Sequence, residues 1–186
     1  AVHLHSARGI DCSAENIIVT AGTSDGLALT LQSQTGGASG LRIATENPGY
    51  PTARRVIRAL GASPIPIPVR DGGIDVDALK RAPGQIDGAL VTASHQYPLG
   101  GRLPVSARLD LLAWSQETGA RIFEDDYDSE FRHGAPPLPA IASLDRDGRV
   151  VLIGSYSKTL TPWLRWGYRV IADSELRQRV IQTREA

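Results

Sequence analysis

Six short runs of apolar and β-branched residues recur along this chain, separated by longer stretches with apolar residues at helical spacing, and this alternation narrows the fold more than any other feature. The runs are IIVT (17–20), LRIATE (41–46), GALVT (88–92), RIFED (121–125), VVLIGS (150–155) and YRVIA (168–172). Their near-continuous apolar character predicts strands covered on both faces. The clearest helix is SARLDLLAWSQETG (106–119), where Ser106 is placed to cap the start, Leu109, Leu112 and Ala113 make an apolar stripe, and Gly119 supplies a left-handed stop. Helices are also expected from Thr23 or Ser24 to about position 34, from Pro51 to about position 60, and from about Ser174 onward. Strands alternating with helices imply a three-layer α/β/α fold with a mostly parallel sheet and right-handed crossovers. Ligands of such sheets bind beyond the carboxyl ends of the strands.

At 186 residues the chain can bury one sizeable core, which favours a single domain. SQTGGASG (33–40) and APPLPA (135–140) read as surface connections inside it. Methionine is missing at every position, and both ends fall within helical patterns. The expectation is one domain over 1–186, cut at both ends from something longer. Twenty basic residues balance twenty acidic ones, so there is no basic field of the kind that recruits nucleic acid. No apolar run approaches the ~20 residues of a membrane-spanning helix, and the first residues lack the apolar core of a secretory signal. The single cysteine, Cys12, cannot form an internal disulfide, which makes a reducing, cytoplasmic setting the default.

Chemically suggestive residues gather just after the expected strands. In GSYSKTLTPWLRWGY (154–168), Ser155 and Ser157 precede Lys158 and Arg165 follows it, so hydroxyls and a guanidinium can converge on one site. Those groups suit a phosphate and leave the amine for covalent chemistry. AGTSDG (21–26) follows a strand and opens a helix; Gly22, Thr23 and Ser24 fit an anion cradle and fit ordinary turn and capping chemistry equally well. EDDYDSEF (124–131) gathers carboxylates at the end of a strand, where consecutive Asp125 and Asp126 point to opposite faces. One inward carboxylate with Tyr127 nearby suits a protonated ring nitrogen better than an octahedral metal ion; a solvated acidic loop is the other reading. ENPGY (46–50) projects Tyr50 toward the same edge, as a stacking face or as a core tyrosine. ASHQYPLGG (93–101), taken alone, signals only a loop. The four histidines show no metal-ligand spacing beyond a terminal i, i+2 pair, and no metal is expected.

The succession AGTSDG, ENPGY, SHQYPLG, EDDYDSEF and GSYSKTLTPWLRWGY resembles the aminotransferase-like domain of fold-type I pyridoxal-phosphate proteins. Within them it is most similar to the MocR-type transcriptional regulators of the GntR superfamily. The resemblance implies that Lys158 forms an aldimine with pyridoxal 5'-phosphate, that Asp125 keeps the ring nitrogen protonated, and that Tyr127 bonds the ring hydroxyl. It implies further that Tyr50 stacks on the ring and that Gly22, Thr23, Ser24, Ser155, Ser157 and Arg165 hold the phosphate. Two positions depart from the family pattern: Ala93 stands where proline is common, and Trp163 where glycine is usual. By the same resemblance the partners are a small amine or amino-acid ligand, a second copy in a homodimer, and DNA only through a winged-helix domain outside this chain. The expected function is effector sensing in a MocR/GntR-type regulator. The alternatives are a class I/II aminotransferase that moves an amino group from an amino acid to a 2-oxo acid, and an interaction module with a vestigial site.

Overall fold

The computed structural model describes residues 1–34, 37–127, 138–155 and 166–185. In chain order the elements are α1 (Val2–Arg8), β1 (Ile17–Thr20), α2 (Thr23–Gln32), β2 (Arg42–Asn47), α3 (Pro51–Ala59), β3 (Ser63–Arg70), β4 (Gly73–Ile74), α4 (Val76–Lys80), β5 (Gly88–Val91), α5 (Val105–Thr118), β6 (Arg121–Asp126), α6 (Ile141–Leu144), β7 (Val150–Ser155), β8 (Gly167–Ile171) and α7 (Ser174–Glu185). All six expected strands are present, within one residue at each end.

One eight-stranded sheet runs in the order β1-β8-β7-β6-β5-β2-β3-β4. Its centre, from β7 through β6, β5 and β2 to β3, is parallel. Strand β8 is antiparallel to both β7 and β1, which restores β1 to the direction of β7. The carboxyl ends of β1, β2, β5, β6 and β7 therefore share one edge, where the motif residues were expected to meet.

Both faces of the sheet are covered, as continuous apolar strands require. On one face Leu27 and Leu31 of α2, Ile57 of α3 and Val180 of α7 close over Phe123, Val151 and Ile153. On the other, Leu111, Leu112 and Trp114 of α5 pack with Leu79 of α4 against Ala89, Val91 and Ile122. Edge strand β1 is the exception, with Val19 55 % exposed. No helix among the described residues is long and apolar enough to cross a membrane.

The structure corrects the expected course of α5. The helix starts at Val105 behind Pro104, so Ser106 lies inside the first turn and caps nothing. Leu109 is 52 % exposed, and the inward stripe is Arg108, Leu111, Leu112, Trp114 and Ser115. Gly119 does end the helix, at φ 76°. Strand β3, SPIPIPVR, has no counterpart among the expected strands, because proline argues against a ladder. Here Pro64, Pro66 and Pro68 alternate, so their missing donors all fall on one side. The residues between them serve the pairing with β2, and β4 pairs only with Val69 and Arg70.

Candidate functional site

The α2 end of the shared edge is built from backbone. Gly22 is the N-cap of α2 at φ 98°, a left-handed conformation that glycine adopts without strain. A side chain is barred on the opposing strand as well, since a Cβ on Gly167 would lie 2.9 Å from the Gly22 Cα. No side chain caps α2, and Asp25 of its first turn accepts from the Ala21 N–H at 2.9 Å. The first amides of α2 are therefore presented at the edge, beside the Thr23 and Ser24 hydroxyls, with the positive end of the helix dipole.

Two abutting clefts open there. Thr23, Ser24 and Leu27 of α2, Ile153 of β7 and Ala53 of α3 line the smaller one together with Tyr50 and Asp125. The larger one shares Tyr50, Ala53, Leu90 and Asp125 and continues to Thr45, Glu46, Arg54 and Thr92. Four of the expected residues, Thr23, Ser24, Tyr50 and Asp125, thus meet around one space although the sequence separates them widely. Gly22 and Ser155 stand at the same edge, as the N-cap of α2 and the last residue of β7. Ser157, Lys158 and Arg165 lie outside the described residues, as does Trp163.

Tyr127 joins the site through an aromatic cluster. Its ring lies 6.4 Å from Tyr97 at an interplanar angle of 84° and 6.3 Å from His95 at 21°. Tyr97 in turn meets Tyr50 edge-on, with ring centroids 5.6 Å apart. His95 and Tyr97 come from the segment that read only as a loop, and the alternation of aromatic with polar residues there was the one available signal.

A polar network behind this cluster escaped the sequence altogether. Glu46, 4 % exposed at the end of β2, accepts from the Thr92 hydroxyl at 2.5 Å, from the Thr92 N–H at 3.3 Å and from the Gln96 amide at 3.3 Å. Burial pushes its carboxyl above the usual range, and the Thr92 and Gln96 donors oppose that rise.

The other face of β6 carries a second charged group. Asp126 pairs with Arg8 of α1 at 2.7 Å, with both side chains buried, and Arg8 also donates to the Ser94 hydroxyl at 3.2 Å. Glu124 accepts from the Ile141 and Ala142 amides at 3.0 and 2.9 Å. Burial, reinforced by Asp126, raises its pKa to about 7. Arg108 donates to the carbonyls of Ala93, Leu103 and Pro139 at 2.7 to 2.8 Å. Ala93, the position where the resemblance leads one to expect proline, is fully buried and also accepts from the Leu103 N–H at 3.0 Å.

Known proteins share this fold. The family model for aminotransferase class I and II matches residues 1–185. The chain is 41 % identical over 175 residues to the HTH-type pyridoxine biosynthesis transcriptional regulator PdxR of Corynebacterium glutamicum, covering 94 % of this chain and 37 % of that protein. It is 39 % identical over 172 residues to the probable rhizopine catabolism regulatory protein MocR of Rhizobium meliloti, covering 92 % and 34 %. The chain thus spans little more than a third of the length of these curated relatives. A crystal structure of an archaeal alanine:glyoxylate aminotransferase superposes with a TM-score of 0.89 at 26 % identity, over 100 % of this chain and 47 % of that one. With its whole length but the last residue matched by that family model and with 39–41 % identity to two such regulators, the chain belongs to the aminotransferase class I and II family, in the form carried by MocR-type GntR-superfamily regulators.

Proposed function

We propose that this chain binds pyridoxal 5'-phosphate at the carboxyl edge of its sheet and serves as the effector-sensing part of a MocR/GntR-type transcriptional regulator. The observation that carries the proposal is the meeting of Thr23, Ser24, Tyr50 and Asp125 around one cleft. An uncapped helix start suits a phosphate, a buried carboxylate suits a ring N–H, and a tyrosine lies in the same lining. The residues present fit the cofactor in charge and in kind.

In this reading Gly22, Thr23, Ser24 and Ser155, with Ser157 and Arg165, hold the phosphate. Asp125 keeps a proton at the ring nitrogen, Tyr127 bonds the ring hydroxyl, and Tyr50 covers the ring face. Lys158 supplies the amine that holds the cofactor. When bound, the cofactor supplies an aldehyde that condenses reversibly with amines and a ring that withdraws electrons. The protein's share is to orient that group and exclude water, with Leu27, Ala53, Leu90 and Ile153 as the apolar lining. The ligand would be a small amine or amino acid.

Similarity to two regulators supports the sensing role, and with it a homodimer, a cytoplasmic setting and DNA contact through a winged-helix domain outside this chain. The close superposition on an aminotransferase supports a second reading, amino-group transfer from an amino acid to a 2-oxo acid.

Titration of the full-length gene product with pyridoxal phosphate, followed by visible absorption, tests the common core. A bound-cofactor band that disappears in Lys158→Ala is the expected result, and a wild-type protein without any band would sink both readings. Amine-dependent change in DNA affinity without 2-oxo acid turnover then favours the sensor; steady turnover favours the enzyme.

A further inference from the structure

We infer that Glu46 is a positioning residue for the tyrosine wall of the cleft, acting through Thr92 and Gln96 on Tyr97. The inference deepens the cofactor reading and rests on it for its consequence in binding.

The polarity of the network follows from its donors. The Tyr97 N–H can only donate, and it reaches the Thr92 hydroxyl oxygen at 3.2 Å. That oxygen therefore sends its own proton to Glu46 Oε2. Gln96 is fixed in the same way. Its Oε1 accepts from the Leu99 N–H at 3.1 Å, so its Nε2 is the group facing the Tyr97 carbonyl at 2.6 Å, the Pro48 carbonyl at 3.0 Å and Glu46 Oε2 at 3.3 Å. One carboxylate oxygen thus accepts from the Thr92 N–H, the Thr92 hydroxyl and the Gln96 amide, tying the segment after β5 to the end of β2, and Gln96 adds the contact to Pro48.

What the network holds in place is functional surface. Pro48 lies two residues before Tyr50, and Tyr97 is the ring between Tyr50 and Tyr127. Tyr50 and Tyr97 are 37 % and 40 % exposed, so apolar burial alone leaves both rings loosely held. Glu46 is 4 % exposed and itself lines the larger cleft beside Asp125. A buried carboxylate is costly, and its retention at this point is accounted for by the acceptor role it performs.

The Thr92 and Gln96 donors converge on Oε2, so the network requires an acceptor at that position. Glutamine can present its oxygen to Thr92 and Gln96, so Glu46→Gln should preserve the clamp while Glu46→Ala should release it. Thr92→Val removes the same relay without touching the carboxylate, and Thr92→Ser keeps it.

Amide hydrogen exchange on the cofactor-free full-length protein reads the clamp directly. Glu46→Ala and Thr92→Val should speed exchange at Tyr97 and Leu99 roughly tenfold, the value of one net hydrogen bond, with β7 amides unchanged. Glu46→Gln and Thr92→Ser should restore wild-type rates. In the same variants the apparent affinity for pyridoxal phosphate should fall roughly tenfold and recover in parallel. Unchanged exchange at Tyr97 in both disruptive variants, or failure of both conservative ones to restore it, overturns the inference. Absence of a cofactor band in the wild type would remove the cofactor reading, and the exchange pattern would still decide the clamp.

Discussion

Asp125 and Asp126 are consecutive on β6 yet serve opposite sides of the sheet: Asp125 lines the cleft with Tyr50 and Thr23, and Asp126 is held by Arg8 at 2.7 Å on the far face. The pleat of an extended strand enforces that division.

Substitution should separate the two aspartates cleanly. Asp126→Ala leaves the Arg8 guanidinium buried without its carboxylate and should cost about 3–5 kcal/mol, read from urea denaturation. Asp125→Ala should abolish the visible band of bound cofactor while moving the denaturation midpoint much less. Equal loss of stability in both variants would contradict the division of roles.

Glu124 predicts a pH dependence with a definite sign. Its pKa is raised from 4.5 to about 7 in the folded chain, so between those values the folded state binds more protons than the unfolded one. Its contribution is therefore fully present below pH 4.5 and is lost as pH rises through about 7. Over the window the loss approaches about 3 kcal/mol. Glu124→Gln removes the titration, and subtracting its stability from that of the wild type at pH 5, 6 and 7 should give a falling difference. A flat difference would mean that Glu124 titrates normally.

Gly154 faces Tyr168 across the β7–β8 pairing. A Cβ at Gly154 would lie 2.2 Å from Cζ and 2.5 Å from the hydroxyl oxygen of Tyr168, whose side chain is 5 % exposed and cannot swing into solvent cheaply. Gly154→Ala should therefore cost about 1–3 kcal/mol by overpacking, measurable as a lowered thermal midpoint. Because Ser155 follows directly, weaker cofactor binding should accompany it.

Arg108 should behave as a core residue despite its charge. Arg108→Met keeps much of the stem but deserts the Ala93, Leu103 and Pro139 carbonyls, and should cost about 3 kcal/mol or more in denaturant titration. A neutral outcome would show that water replaces the guanidinium there.

The six expected strands and all four expected helices were legible because continuous apolar runs, a proline at the first helical position and strand-end turn residues are local signals. Strand β3 was not, since its prolines carry the opposite local message and only the open neighbouring edge makes them tolerable. The face of α5 was misjudged for a related reason. Arg108 is fully buried because three carbonyls from distant segments converge on it, and Leu109 is left outside. Arg169 on β8 is likewise fully buried, donating to the Thr30 hydroxyl at 2.5 Å, and burial lowers its pKa to about 10.

For the site, the sequence by itself determined which chemical groups stand at the ends of strands: the Gly22-Thr23-Ser24 turn, Tyr50, Asp125 and Tyr127. Only the tertiary structure decided which of them share a space, because that depends on strand order. Placing β1 beyond β8, and β6 between β7 and β5, brings the start of α2 and Asp125 to one cleft. It also decided that Glu46, Thr92 and Gln96 form one network, since hydrogen bonds between residues 46 or more positions apart leave no periodic trace in a sequence.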